Sequence, residues 1–157
     1  MSKISEEEIQ NILPIKGPSF DEVKNYLKKY NDEYIVIKCG GSVLVNQDLF
    51  NNFINDISIL NKLGFIPIII HGGGKRISVK LNEAGIKSNF INGLRVTDEK
   101  SINIVEEVLN TFNREITNAL KDNGCDSQGI TNKQNNILVV EQENNKLGYV
   151  GTPKKIN

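Results

Sequence analysis

Three short segments of the sequence hold residue types that bind and move anions. They are Lys38-Cys39-Gly40-Gly41-Ser42, His71-Gly72-Gly73-Gly74 and Gly93-Leu94-Arg95-Val96-Thr97-Asp98. An ammonium beside two glycines suits a phosphate. Without Cβ atoms the main chain approaches closely, its N–H groups donate, and Lys38 neutralises charge on the transferring oxygens. Glycine pairs after strands are common, so this segment alone is a weak signal. Its spacing is neither GxxxxGK[ST] nor GxGxxG, which sets aside a P-loop and a dinucleotide fingerprint. Three successive glycines lose much conformational entropy on folding, a cost that persists where a backbone bends tightly or touches a ligand. The N–H groups of a helix that starts there can hold a carboxylate. Arg95, just ahead of a helix, can form a bidentate pair with a carboxylate.

Each segment also has a plain structural alternative. Lys38 ends an apolar run, where an unpaired buried ammonium is costly. It either meets an anionic ligand, pairs with a nearby Asp or snorkels to the surface, and the adjacent glycines favour the ligand. The glycine run after His71 could be a tight turn with no ligand, and Arg95 an exposed ion pair. His71, the only histidine, reads as a turn residue hydrogen-bonded to backbone and not as a general base.

The elements that must position these residues follow from periodicity. Ile35-Val36-Ile37-Lys38-Cys39 is a β-branched run closed by glycines, the profile of a buried strand. A helix is expected over about Gln47–Leu63, since Leu49, Phe50, Phe53, Ile54, Ile57 and Leu60 recur at helical spacing and stop at Gly64. A strand Phe65–Ile70 and a helix from Lys75 to Gly85 come next. Strand, glycine turn and helix, repeated, argue for parallel strands joined by crossovers and for an α/β sandwich. Both glycine turns then converge at the carboxyl ends of the strands, where open α/β sheets bind ligands. Thr97 is expected to cap a long helix that ends at Gly124, with Val108, Phe112, Ile116 and Leu120 on its inner face. Ile137–Val140 reads as a strand, and Leu147–Gly151 as a turn leading into an extended segment. Ser19 is expected to cap an earlier helix through Val23, Tyr26, Leu27 and Tyr30, preceded by a polar, acidic stretch.

The composition limits the function classes. The 157 residues are 38% hydrophobic and 24% charged, with Lys plus Arg balancing Asp plus Glu at 19 each. A chain of this size can bury a core, and with no net field and no basic stripe neither nucleic acid nor an anionic membrane is an expected partner. The longest apolar run, Ile66–Ile70, is far short of the roughly 20 residues of a membrane span. Cys39 and Cys125 have no metal-ligand spacing, so no metal site is expected, and with no signal peptide in view the reading is a cytoplasmic protein.

In order, the three segments, then Asn113-Arg114-Glu115-Ile116 and Leu147-Gly148-Tyr149-Val150-Gly151, resemble the N-acetylglutamate kinase pattern of the amino-acid kinase family over about Tyr26–Asn157. The first motif belongs to the whole family, and the second and third together point to N-acetylglutamate. The resemblance implies the amino-terminal lobe of an α/β three-layer sandwich with a mainly parallel central sheet. Residues 1–34 would form an extension with a helix, and residues 35–157 the substrate-binding lobe. It implies transfer of the γ-phosphoryl group of ATP, bound with Mg²⁺, to the side-chain carboxylate of N-acetyl-L-glutamate in arginine biosynthesis.

By position, Lys38 matches the lysine that stabilises the transition state. Gly40, Gly41 and Ser42 match the phosphate-binding turn, Gly73 and Gly74 the substrate-binding glycines, and Arg95 the arginine on the α-carboxylate. A homo-oligomer, dimer or hexamer, and L-arginine as inhibitor are implied by the likeness of Phe20–Tyr34 to the amino-terminal helix of arginine-sensitive members. Lys75 stands where the family usually has Pro, and Gly129–Gln134 is a diverged form of a Gly-Leu-Ser-Gly-Lys-Asp type segment. The family's Asn-x-Asn-x-Asp segment and second catalytic lysine have no counterpart, so the expectation is a chain without the nucleotide-binding lobe and inactive alone. The alternatives are a kinase for an aminoadipate derivative, and a non-catalytic ligand-binding or oligomerisation module.

Overall fold

Serine caps open the chain. The computed structural model describes residues 4–41 and 46–157, without the side chains of Gln134 and Asn135. Helices α1 (Glu6–Ile12) and α2 (Phe20–Lys29) each begin with a capping box: the Ser5 and Ser19 hydroxyls accept from the N–H groups of Glu8 and Glu22, whose carboxylates accept from the serine N–H groups in return. The boxes satisfy donors that a helix start leaves open. Helix α1 is an addition to the sequence reading. The run Glu6-Glu7-Glu8 resembled a polar tail, but at a helix start it complements the dipole.

Strand β1 (Tyr34–Cys39), helix α3 (Gln47–Lys62), strand β2 (Ile66–His71) and helix α4 (Gly74–Glu83) follow. The strands pair in parallel, from Tyr34 opposite Ile66 to Cys39 opposite His71. Parallel neighbours need a crossover, and α3 supplies it. Side chains alternate across the sheet, so Ile37, Cys39 and Ile69 point to one face. There they meet Ile54 and Ile57 of α3 and Phe112, Ile116 and Leu120 of α5 (Glu99–Asp122). A second cluster joins Ile77 and Leu81 of α4 to Val108 of α5. Helix α5 thus seats both the sheet and α4. The α/β class and the parallel pairing agree with the sequence. Among the described residues, helices cover one face of the sheet, while Tyr34, Val36, Ile66, Ile68 and Ile70 stand exposed on the other.

Between α4 and α5 lies a hairpin of β3 (Phe90–Ile91) and β4 (Leu94–Arg95), turned by Asn92 and Gly93 at φ 50° and 81°. Two left-handed residues make the tight turn whose twist suits a hairpin. Helix α5 is capped by Asp98, not by Thr97 as the sequence suggested: Asp98 Oδ1 accepts the Ser101 N–H at 2.8 Å. Beyond α5 come the short helix α6 (Asn132–Asn135), a 3₁₀ turn over Asn145–Leu147, and the antiparallel strands β5 (Leu138–Gln142) and β6 (Gly151–Ile156). Both cysteines are free. Among the described residues no helix is long and apolar enough to cross a membrane.

Candidate anion-binding site

The pairing of Cys39 with His71 ends both strands together, so Gly40-Gly41 and Gly72-Gly73-Gly74 leave the sheet at the same edge. Residues separated by a whole crossover in sequence become neighbours here, the convergence expected from the strand order. Lys38 departs from the reading in its burial. Strand alternation places it with Tyr34 and Val36 on the open face, and it is exposed. The cost of a buried ammonium is therefore no argument for an anionic partner. What remains is an accessible cation beside a turn where, among the described residues, no atom beyond the chain neighbours lies within 4 Å of where a Cβ on Gly40 or Gly41 would stand. Ser42 lies outside the described residues.

Helix α4 starts with Gly73 as its N-cap and has no side-chain cap bond. The first-turn N–H groups of such a helix lack intrahelical partners and attract anions. The glycines of this run serve different purposes. Gly73 is buried, and a Cβ there would sit 2.8 Å from Leu109 Cδ2, so its lack of a side chain lets α4 approach α5. Among the described residues nothing lies within 4 Å of a Cβ placed on Gly72 or Gly74.

Arg95 sits against that helix start. Its Nη2 donates to Gly74 O at 3.2 Å and to Ser78 Oγ at 2.8 Å, while Nη1 donates to Ser88 Oγ. Its guanidinium carbon lies 4.7 Å from the Phe90 ring centre, a cation–π contact across the hairpin. No carboxylate pairs with it among the described residues, so it is not the exposed ion pair weighed as the alternative. Guanidinium has five N–H donors. Nε–H and one Nη1–H keep no protein acceptor among the described residues. Neither serine carried a sequence signal of its own. The hairpin that brings Phe90 opposite Arg95 did, in Asn92-Gly93.

The backbone interaction expected of His71 is limited to the adjacent Gly72. His71 ends β2, its ring meets Phe112 edge-on with centres 5.0 Å apart, and Nε2 lies 3.4 Å from Asn113 Nδ2. Nδ1 is buried without a hydrogen-bond partner among the described residues. Burial lowers the imidazole's pKa, offset in part by the Gly72 backbone. A neutral ring held this way is a packing element. Asn113 Nδ2 also reaches the Ile130 carbonyl at 3.5 Å, so this amide of the Asn113-Arg114-Glu115-Ile116 segment ties the end of β2 to the loop before α6.

The segment Leu147-Gly148-Tyr149 supports the same region from behind. Thr97, buried, donates its N–H to Leu147 O at 2.9 Å, and its carbonyl accepts the Tyr149 N–H at 2.7 Å. The Thr97 hydroxyl donates to Arg95 O at 3.1 Å. The main chain at Arg95 is thereby tied to a segment some fifty residues further along.

Comparison with known proteins gives the family. Residues 33–157 match the amino acid kinase family. The acetylglutamate kinase of Pelagibacter ubique (strain HTCC1062) is 62% identical over 157 residues, which are all of this chain and 54% of that protein. The acetylglutamate kinase of Campylobacter hominis is 45% identical over 134 residues, 84% of this chain and 47% of its own length. The chain thus spans about half the length of the curated relatives it matches. Among solved structures, smu.665 from Streptococcus mutans UA159 superposes with a TM-score of 0.64 at 27% identity, covering 79% of this chain and 51% of that one. N-acetylglutamate synthase from Neisseria gonorrhoeae, with coenzyme A and N-acetyl-glutamate, shares the fold at a TM-score of 0.66 and 23% identity, over 87% of this chain and 32% of its own. With the family matched over most of its length, this chain belongs to the amino acid kinase family.

Proposed function

We propose that this chain supplies the substrate-binding part of an enzyme that phosphorylates the side-chain carboxylate of N-acetyl-L-glutamate with ATP. Residues 35–157 form the substrate-binding lobe, residues 1–34 are an extension to it, and further residues are needed to complete the nucleotide site. The α-carboxylate meets Arg95 and the open N–H groups at the start of α4. The side-chain carboxylate then lies toward the Gly40-Gly41 turn and Lys38. In the reaction a carboxylate oxygen forms a bond to the γ-phosphorus while the bond to the β–γ bridging oxygen breaks, giving an acyl phosphate and ADP. Phosphoryl transfer asks a protein mainly for positioning and charge neutralisation. Lys38 offers a mobile ammonium, and the unsubstituted turn offers main-chain donors at close range. Mg²⁺ on the nucleotide supplies further neutralisation of the phosphates.

One observation carries the reading. Among the described residues Arg95 is held by neutral groups, against a helix start that has no side-chain cap, so a cation lies beside the first-turn N–H groups of α4. The identity of the Pelagibacter and Campylobacter kinases over the matched residues supports the choice of acyl amino acid. The test is a calorimetric titration of the 157-residue chain with N-acetyl-L-glutamate, with Arg95→Ala as control. Binding that disappears in the variant is the expected result, and equal binding by both chains overturns the assignment. An N-acylated aminoadipate bound more tightly than N-acetyl-L-glutamate would move the assignment to the longer substrate. ATP turnover by the bound chain alone would overturn the proposal that further residues complete the site.

A further inference from the structure

The guanidinium of Arg95 is restrained more than recognition of a carboxylate by itself requires. Ser88 accepts from Nη1 on one side, and Ser78 and the Gly74 carbonyl accept from Nη2 on the other. Ser78 is itself oriented. Its hydroxyl donates to Gly74 O at 2.9 Å, so its lone pairs are left to face the arginine. The Val96 N–H donates to Asn89 O at 2.9 Å, which runs the Ser88 main chain alongside Arg95 beyond the end of the hairpin ladder. Phe90 closes one face of the guanidinium plane. A long, rotamer-rich side chain is thus fixed before any ligand arrives, and among the described residues Nε–H and one Nη1–H are left without an acceptor. Both serines are neutral acceptors. They orient the cation without cancelling its charge, as a carboxylate in either place would.

We propose that Ser88 is a positioning residue for ligand carboxylates. With Ser78 it locks the Arg95 guanidinium so that its remaining N–H groups and the first turn of α4 present one preorganised carboxylate site. This rests on the proposed role of Arg95. A donor that is already immobilised loses little freedom on binding, so the lock acts through affinity.

The test combines two measurements on the 157-residue chain. Nitrogen-detected NMR of arginine side chains reads rotation about Cζ–Nη without any ligand, and titration with N-acetyl-L-glutamate reads affinity. The expected result is resolved Nη signals for Arg95 in the wild type and merged signals in Ser88→Ala, with affinity weaker by up to about tenfold, the cost of immobilising one rotamer-rich side chain on binding. Ser88→Thr, which keeps the hydroxyl, restores both, and Ser78→Ala repeats the loss from the other side. Thermal unfolding confirms that each variant is folded. Resolved signals and unchanged affinity in Ser88→Ala overturn the proposal, as do averaged Nη signals in the wild type. A wild-type chain that binds no N-acetyl-L-glutamate overturns the substrate reading, and the lock then stands or falls on the NMR result alone.

Discussion

Replacing Gly148 with Ala tests how the last part of the chain supports the site. Gly148 has φ 68° and ψ −123°, a conformation reserved for glycine at the head of a tight turn. A Cβ there would overlap the Thr97 carbonyl oxygen and come within 2.9 Å of its carbon. The left-handed φ costs an L-residue about 1–2 kcal/mol. The overlap also pushes apart the two main-chain bonds at Thr97, to Leu147 O and from the Tyr149 N–H, each contributing about 1 kcal/mol net. The sum is about 3–4 kcal/mol, a large part of the stability of an ordinary domain. In urea this lowers the unfolding midpoint by about 1.5–2 M at a slope near 2 kcal/mol/M. Gly85→Ala is the control. Gly85 also has positive φ, at 73°, but among the described residues nothing lies within 4 Å of the added Cβ, so it carries the conformational cost without the overlap. Circular dichroism of both variants in urea decides the matter. If Gly148→Ala unfolds at the same urea concentration as Gly85→Ala, the contact with Thr97 does not support the fold and the link from Gly148 to Arg95 fails.

Other consequences can be measured on the same chain. His71 is the only histidine, and its pKa in the folded chain lies below the ordinary 6.5 because burial disfavours the imidazolium. The unfolded chain therefore takes up this proton first. The stability that His71 contributes is full above about pH 6.5 and is lost as pH falls toward the lower folded pKa. His71→Gln removes that slope in urea titrations across this window, and an unchanged slope assigns it to other groups. Leu81 is 1% exposed between α4 and α5, so Leu81→Ala should cost about 2–5 kcal/mol and loosen the helix that carries Gly74 and Ser78; amide exchange localised elsewhere would contradict this. On the open sheet face, Val36→Ser with Ile68→Ser should lower the binding of a hydrophobic dye with little change in melting temperature. A large loss of stability would show that this face is already covered.

How much of this was legible in the sequence depended on the range of the contact involved. The elements that rest on local periodicity, β1, α3, β2, α4 and α5, fall within a residue or two of their expected bounds, because spacing and the glycines after each helix are local signals. Thr97 and Asp98 are both acceptable caps by type. Thr97 is excluded only because its main chain is engaged by Leu147 and Tyr149, which no local window contains. Lys38 was misjudged for a related reason. Ile35-Val36-Ile37 reads as a strand buried on both faces, as parallel strands usually are, yet the described residues cover only the face that bears Ile37 and Cys39. The serines around Arg95 were invisible, since single hydroxyls have no periodicity and gain meaning only from the arginine they meet.

The treatment of charge separates Arg95 from the cations that are paired with carboxylates. The chain balances 19 basic against 19 acidic residues, so no long-range field gathers anions and any site must act at close quarters. Five cations are neutralised by carboxylates, Lys24 by Glu6, Arg76 by Glu115, Lys80 by Glu83, Lys133 by Glu106 and Lys154 by Glu141, while Arg114 donates to the Thr111 hydroxyl. Arg95 receives two hydroxyls, a carbonyl and an aromatic face instead. An arginine needed only to brace the hairpin would be held better by an acid, because a charge-assisted pair is stronger than a bond to a neutral acceptor. Neutral partners fix its geometry and leave its charge unspent, which suits a residue whose carboxylate partner comes from outside the chain.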